Sequence, residues 1–170
     1  MEWHPFHLHP EYPPDGVPRE TLARRYGPAI HERTRAVVEA AGLRYGPPDR
    51  IPNSERALAV SELARDRGVH DAVHARLMHA YWSEGADIGD DGVLLDLVAE
   101  AGLDRDEAAA VMAEGDGYTE RVLASTRAAQ AHGINAIPAF VLDDRLLVLG
   151  AQPHEAFEQA FGMLERDREA

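Results

Sequence analysis

The 170-residue sequence contains no cysteine. Disulfide bonds, thiolate nucleophiles and thiolate metal ligands are therefore excluded for the chain as written. Lysine is also absent, so all 17 basic residues are arginine, and against 30 acidic residues they leave a formal net charge of −13. A protein this acidic repels nucleic acid and anionic membranes, because both binding modes depend on neutralising phosphate groups.

Aromatic residues make up only 6% of the chain, although 45% of its residues are hydrophobic. This composition is typical of a globular protein rich in alanine, leucine and valine, and it argues against disorder. The longest apolar runs fall well short of a membrane-spanning helix. The first residues have neither the basic nor the apolar region of a signal peptide. We therefore expect a soluble, cytoplasmic protein of one domain, or of one domain with an inserted subdomain.

The middle of the chain has the pattern of consecutive helices, each followed by a glycine. Prolines at first helical positions, asparagine or aspartate caps, and glycines just past the last turn mark the helix limits. Apolar residues recur within these segments at helical spacing. The predicted helical segments are 18–27, 28–42, 53–68, 69–85, 92–102, 105–115 and 118–133.

The two ends of the chain have a different pattern. The opening EWHPFHL predicts a strand near residues 2–8, and IPAFVL and RLLVLG predict a β-hairpin that turns at Asp143 and Asp144. A last helix starts at Pro153. The order strand, helical block, helix, hairpin, helix indicates an α/β core with a helical insertion, because neither end could bury its own strands alone.

Several segments carry a resemblance to a known family. They are EWHPFHLHPEYPPDG, HAYWSEGADIGDDGVLLDLVAEAGLD and GINAIPAFVLDDRLLVLGAQPHEAFEQA, with a weaker match in PNSERAL; the ending GAQPxExF is among the most specific parts. These segments resemble the DsbA family of thioredoxin-fold oxidoreductases, and within it the FrnE-like branch. The resemblance implies an α/β, thioredoxin-like core formed by residues 1–15 and 119–170, interrupted by an all-helical insertion of residues 16–118.

The same resemblance assigns candidate binding residues. Ile137 and Pro138 would form the cis-proline pair that faces the redox-active site, where the backbone binds an extended peptide or a protein thiol substrate by strand addition. A trans proline at the start of a strand is the ordinary alternative, because only about 5–6% of X-Pro bonds in folded proteins are cis. Tyr81 and Trp82 would line the same groove; the alternative is packing between the helical block and the α/β core. We expect no cofactor.

The chain departs from the family at the catalytic motif. Family members begin with a strand and a helix whose N-terminus carries Cys-X-X-Cys, where the helix dipole stabilises a thiolate. Neither that unit nor any cysteine is present, so no catalytic residue is assigned. A smaller departure is Leu58, which stands where the family tends to have histidine. We expect a truncated or miscalled start, rather than a degenerate remnant or a chain completed by a partner. The missing strand would leave open strand edges, which favour a homodimer.

Three functions are consistent with these residues. The first is a DsbA-like, FrnE-like dithiol–disulfide oxidoreductase homologue, redox-inactive as written because exchange requires a thiolate. The second is a non-catalytic peptide-binding or chaperone-like protein with the same fold. The third is a relative of glutathione-dependent isomerases and kappa-type transferases, which the GAQP ending and the missing first helix disfavour.

Histidines cluster twice without forming a recognisable metal motif. His4, His7 and His9 occupy the N-terminal segment, and His70 and His74 lie four residues apart in a predicted helix. A zinc site needs at least a third protein ligand, and no glutamate stands where a helical HExxH motif requires one. We therefore predict no metal site.

Overall fold

The computed structural model describes residues 1–114 and 117–169, and most of these residues are helical. The α-helices in these ranges are α1 (Glu20–Tyr26), α2 (Ile30–Ala40), α3 (Glu55–Asp66), α4 (His70–His79), α5 (Asp91–Glu100), α6 (Arg105–Glu114), α7 (Tyr118–Ala131) and α8 (His154–Glu169). Strand β1 (Val17–Pro18) pairs antiparallel with β2 (Arg50–Ile51), and β3 (Ala139–Leu142) pairs antiparallel with β4 (Leu146–Leu149).

Aspartate caps fix where α5 and α6 begin, as the sequence predicts. The Asp90 carboxylate accepts a hydrogen bond from the Val93 N–H at 2.9 Å, and the Asp104 carboxylate accepts two from the first turn of α6. These bonds satisfy N–H groups that have no partner inside the helix. One difference from the prediction lies at the end of α4, where Ala80–Glu84 form a π-helical turn that stops at Gly85 in the left-handed conformation.

The hydrophobic core lies in the helical block and is organised around α3. Helix α3 packs against α7, α4 and α6, and α5 packs against α4 and α6. The core residues are Ala57, Ala59, Val60, Leu63, Ala64, Val73, Leu77, Ala80, Ile88, Leu94, Leu97, Val98, Leu103, Ala108 and Val111. Because α7 makes its most extensive contacts with α3, it is joined firmly to the helical block. The predicted domain limit at residues 118 and 119 stays a prediction.

A buried carboxylate links α3 to α7. Glu62 is 6% exposed, and its carboxylate lies 3.1 Å from the Arg65 guanidinium and 3.2 Å from that of Arg121. Arg121 also binds Asp66, one turn further along α3. The two helices are thus joined by an ion-pair network as well as by apolar packing.

Replacing Arg121 with methionine is expected to lower the free energy of unfolding by about 1–3 kcal/mol, since it leaves a buried carboxylate with one fewer partner. The effect is smaller than for a fully buried pair, because Arg121 is partly exposed and Arg65 remains. Urea denaturation measures the change. Arg127→Met removes the exposed pair with Glu120 and serves as the control, with an expected change below about 0.5 kcal/mol. Equal losses in both variants would contradict this explanation.

The predicted strand near residues 2–8 is wrong, because this segment has an irregular conformation. A strand needs a neighbouring strand, and none pairs with this segment in the part of the chain that the structure describes. Its backbone instead binds side chains of α7. The Ser125 hydroxyl donates to the Pro5 carbonyl at 2.8 Å, and the His7 N–H donates to the Thr126 hydroxyl at 2.9 Å.

The predicted C-terminal hairpin is confirmed. Its register pairs Ala139 with Leu149 and Leu142 with Leu146. Asp143 and Asp144 both have positive φ angles, of 56° and 52°, as a type I′ hairpin turn requires. Helix α8 follows and packs against β4.

Candidate functional site

The hairpin is apolar on both faces, but α8 covers only one of them. Phe140 contacts Phe157 of α8 edge to face, with ring centroids 5.0 Å apart. On the opposite face, Val141 is 55% exposed, and Leu147 and Leu149 are also exposed. Strands that are apolar on both faces are typical of sheets covered on both sides. The uncovered face is therefore suited to contact with another apolar group.

Strand β3 also has an open edge. The Gly150 N–H donates to the Pro138 carbonyl at 2.8 Å, and the Arg145 N–H donates to the Leu142 carbonyl at 3.1 Å. Because inward and outward backbone groups alternate along an antiparallel ladder, the N–H and C=O groups of Ala139 and Val141 point away from β4. No other strand in the described ranges pairs with β3. These outward groups can accept an added strand.

Ile137 and Pro138 lie at the start of this open edge. The peptide bond between them is cis, and Ile137 is 52% exposed. The two residues directly precede Ala139, the first residue of β3. The structure thus places these two predicted binding residues beside backbone groups that are free to bind.

Tyr81 and Trp82 lie in the π-helical turn after α4, a type of turn often found at functional sites. Their rings meet edge to face, with centroids 4.9 Å apart, and Arg19 donates a hydrogen bond to the Tyr81 hydroxyl at 2.7 Å. Burial raises the pKa of Tyr81 above its ordinary value, although Arg19 acts in the opposite direction. Tyr81 therefore stays neutral at physiological pH and acts as a hydrogen-bond acceptor for Arg19.

The loop after α2 packs closely on this turn. The Tyr45 and Trp82 rings stack with centroids 6.2 Å apart, and the Gly46 N–H donates to the Trp82 carbonyl at 2.7 Å. A Cβ atom at Gly46 would lie 3.2 Å from the Ser83 carbonyl oxygen, so this approach favours glycine. The Tyr81 hydroxyl and the Trp82 ring thus contact the segments around Arg19 and Tyr45.

The four predicted binding residues form two pairs rather than one cluster. Among the described residues, no hydrogen bond or ring contact joins Tyr81 or Trp82 to the hairpin. Sequence reasoning missed the outward-facing residues Ala139 and Val141. The period of two within IPAFVL, counted from Ile137, is the signal that could have identified them.

Two histidines of α4 lie next to each other, and one of them contacts Trp3 of the N-terminal segment. His70 and His74 stack with ring centroids 5.7 Å apart, and Trp3 covers His74 at 4.6 Å. Burial lowers the pKa of His74, and the neighbouring His70 lowers it further. In residues 1–114 and 117–169, no group of three or more histidine, aspartate or glutamate side chains is arranged to hold a metal ion.

Comparison with known proteins identifies the family. A family model described as a DsbA-like thioredoxin domain matches residues 1–162. The chain belongs to this family. It has the DsbA-like thioredoxin fold, and its mostly helical composition fits that fold with a helical insertion.

Two proteins similar to this DsbA-like chain extend the comparison. The crystal structure of a probable DsbA oxidoreductase from Streptomyces coelicolor has a TM-score of 0.82 and 34% sequence identity, covering 91% of this chain and 70% of that one. The uncharacterized protein YwbO of Bacillus subtilis (strain 168) is 25% identical over 162 residues, which are 94% of this chain and 80% of YwbO.

Among the described helices, none has the length and hydropathy needed to cross a membrane.

Proposed function

We propose that this chain is a FrnE-like member of the DsbA-like family that binds extended peptides along β3. The observation that carries the proposal is the open edge of β3, which directly follows Ile137 and Pro138. A peptide in extended conformation would add to this edge as a further strand, paired with the outward backbone groups of Ala139 and Val141.

The chemistry of this chain differs from that of a thiol oxidoreductase. Dithiol–disulfide exchange begins with attack by a thiolate on a disulfide sulfur, through a mixed disulfide. The chain has no cysteine to supply that thiolate. We therefore propose that it binds peptides without redox chemistry. This proposal combines the family assignment with the non-catalytic, peptide-binding function considered above.

The uncovered hairpin face indicates which peptides bind best. The exposed side chains of Val141, Leu147 and Leu149 are apolar, and Ile137 extends this surface beyond the strand. In an added strand, alternate side chains point to the same face of the sheet. Peptides with apolar residues at every second position are therefore the preferred ligands, whereas nucleic acid is excluded by the net charge.

Fluorescence anisotropy with a labelled, cysteine-free peptide of alternating valine and threonine tests this function. We expect saturable binding that is the same with and without dithiothreitol, and no acceleration of insulin reduction. A scrambled peptide with its apolar residues adjacent is the control, and it should bind several-fold more weakly. A chain that fails to bind either peptide would contradict the proposal, and glutathione-dependent isomerisation would support the transferase-like alternative instead.

The aromatic residues Tyr81 and Trp82 can be tested by the same binding experiment. We propose that Tyr81 and Trp82 contribute to the peptide groove, and Trp82→Ala should then weaken the binding measured by anisotropy.

Self-association through the open edge of β3 is a competing use of the same backbone groups. Light scattering across a range of protein concentrations detects a homodimer, and its dissociation on addition of the peptide would show that both use one edge.

A further inference from the structure

His7 is the one fully buried residue of the N-terminal segment, residues 1–9. Its side chain is 2% exposed, whereas Met1 and Trp3 of the same segment are exposed. The His7 N–H donates to Thr126 of α7, and the ring Nδ1 lies 3.9 Å from Glu55 at the start of α3. The imidazole therefore lies where the N-terminal segment meets both helices.

The His7 ring is buried without hydrogen bonds. Neither ring nitrogen has a hydrogen-bond partner among the described residues. A neutral imidazole leaves one N–H and one lone pair unsatisfied there, and a protonated ring would add a second donor and a buried charge. The site therefore tolerates the neutral ring better than the charged ring.

The groups around the ring oppose this preference only partly. Burial lowers the pKa of His7, the Glu55 carboxylate and the Asn53 side chain raise it, and Glu11 and His9 have smaller effects of opposite sign. The side chain of Glu55 is 44% exposed, so water screens its attraction for a protonated ring. Helix α7 presents the uncharged Thr126 hydroxyl. Burial is thus the dominant influence.

Few other contacts hold the segment in place. Ser125 binds the Pro5 carbonyl, Arg65 binds the Trp3 carbonyl, and the Trp3 ring stacks on His74. Residues 1–9 form no backbone ladder with a strand in the described ranges. Loss of the buried position of His7 would therefore remove a large part of what holds the segment.

We propose that residues 1–9 form an acid-sensitive N-terminal strap, which leaves α3 and α7 when His7 is protonated. A released His7 takes up a proton near the ordinary histidine pKa of about 6.5, and the docked ring does so at lower pH. Docking is therefore fully favoured above about pH 6.5, and it weakens by up to about tenfold per pH unit as the pH falls toward the pKa of the docked ring. Below that pKa, further acidification changes docking no more.

Release of the strap would alter the surface of the helical block. Thr126 loses its contact with the strap, and His74 loses the Trp3 ring that covers it. Because burial also lowers the pKa of His74, uncovering this residue would add to the acid response. The test therefore leaves His74 in place in every variant.

Hydrogen–deuterium exchange of the full chain, followed by NMR, tests the strap. The protection factor of the residue 7 amide should fall by up to about tenfold per pH unit between about pH 6.5 and pH 5 in the wild type. It should fall equally in His4→Phe, because the His4 side chain is 70% exposed. In His7→Phe, which keeps a buried ring but cannot be protonated, the acid-dependent loss should be much smaller.

Two results would overturn the proposal. One is the same acid-dependent loss of protection in His7→Phe as in the wild type. The other is a wild-type His7 ring that titrates at or above about pH 6.5 while the strap remains docked. The ring titration is measured on the wild-type chain by the NMR shifts of the imidazole C–H protons. It therefore decides the matter even if His7→Phe does not fold.

Discussion

Replacing Ala139 with proline should weaken peptide binding at least about tenfold. The Ala139 N–H points to the open edge of β3, so the substitution removes a donor available to the peptide, and the proline ring blocks close approach. The hairpin itself does not use this N–H. The Gly150 N–H donates to the Pro138 carbonyl, so the next pair, Ala139 and Leu149, is a pair without hydrogen bonds between its two residues. Proline is tolerated at an edge strand for this reason. The labelled-peptide titration measures the loss.

Leu149→Pro is the matched control for Ala139→Pro. Leu149 is the register partner of Ala139, and its N–H points to the opposite edge of the same hairpin. Binding should fall much less than in Ala139→Pro, because Leu149→Pro keeps every outward N–H of β3 and alters only one apolar side chain of the uncovered face. Circular dichroism should show that both variants keep the fold. A larger loss in Leu149→Pro than in Ala139→Pro would place the peptide at β4 and contradict the assignment to β3.

Leu63→Ala should produce the largest loss of stability, about 3–5 kcal/mol in the free energy of unfolding. Leu63 is 2% exposed on α3, the helix that contacts α4, α6 and α7. Its truncation removes apolar contacts and leaves a cavity that three neighbouring helices cannot readily fill. Chemical denaturation followed by circular dichroism measures the change.

Leu43→Ala is the control for Leu63→Ala, because Leu43 is exposed and lies outside the core. Its substitution should change the free energy of unfolding by less than about 0.5 kcal/mol. If Leu63→Ala were no more destabilising than Leu43→Ala, α3 would not be the centre of the core. The comparison thus tests whether stability resides in the helical block.

The sequence predicts the helices well because their limits depend on local interactions. The Asp90 and Asp104 caps bind N–H groups within three residues of themselves. Glycines such as Gly85 end helices through their own left-handed backbone. The turn of the C-terminal hairpin is equally local, since it depends on Asp143 and Asp144. None of these features requires knowledge of distant segments.

The N-terminal segment shows where local reasoning fails. Its aromatic and apolar residues suit a strand, but a strand forms only where a neighbour supplies hydrogen bonds. Pro5 and Pro10 have no N–H to offer, and the groups that remain bind Ser125 and Thr126 of α7 instead. Those partners are more than a hundred residues away in sequence. The conformation of the segment is therefore decided by tertiary contacts.

The candidate site was only partly predictable for a similar reason. The family resemblance indicates Ile137 and Pro138, but which neighbouring N–H groups are free depends on the hairpin register. Likewise, Tyr81 and Trp82 are recognisable as aromatics at a helix end. Their contacts with Arg19 and Tyr45 involve distant segments, and no local pattern predicts that these segments meet.

The central claim is that β3 accepts a peptide strand at its open edge, and backbone amide exchange in the presence of the peptide tests it most directly. The account predicts that saturating peptide slows exchange at Ala139 and Val141 of β3, while Leu147 and Leu149 of β4 exchange as before. Protection confined to β4, or no added protection at Ala139 and Val141 despite saturated binding, would contradict it.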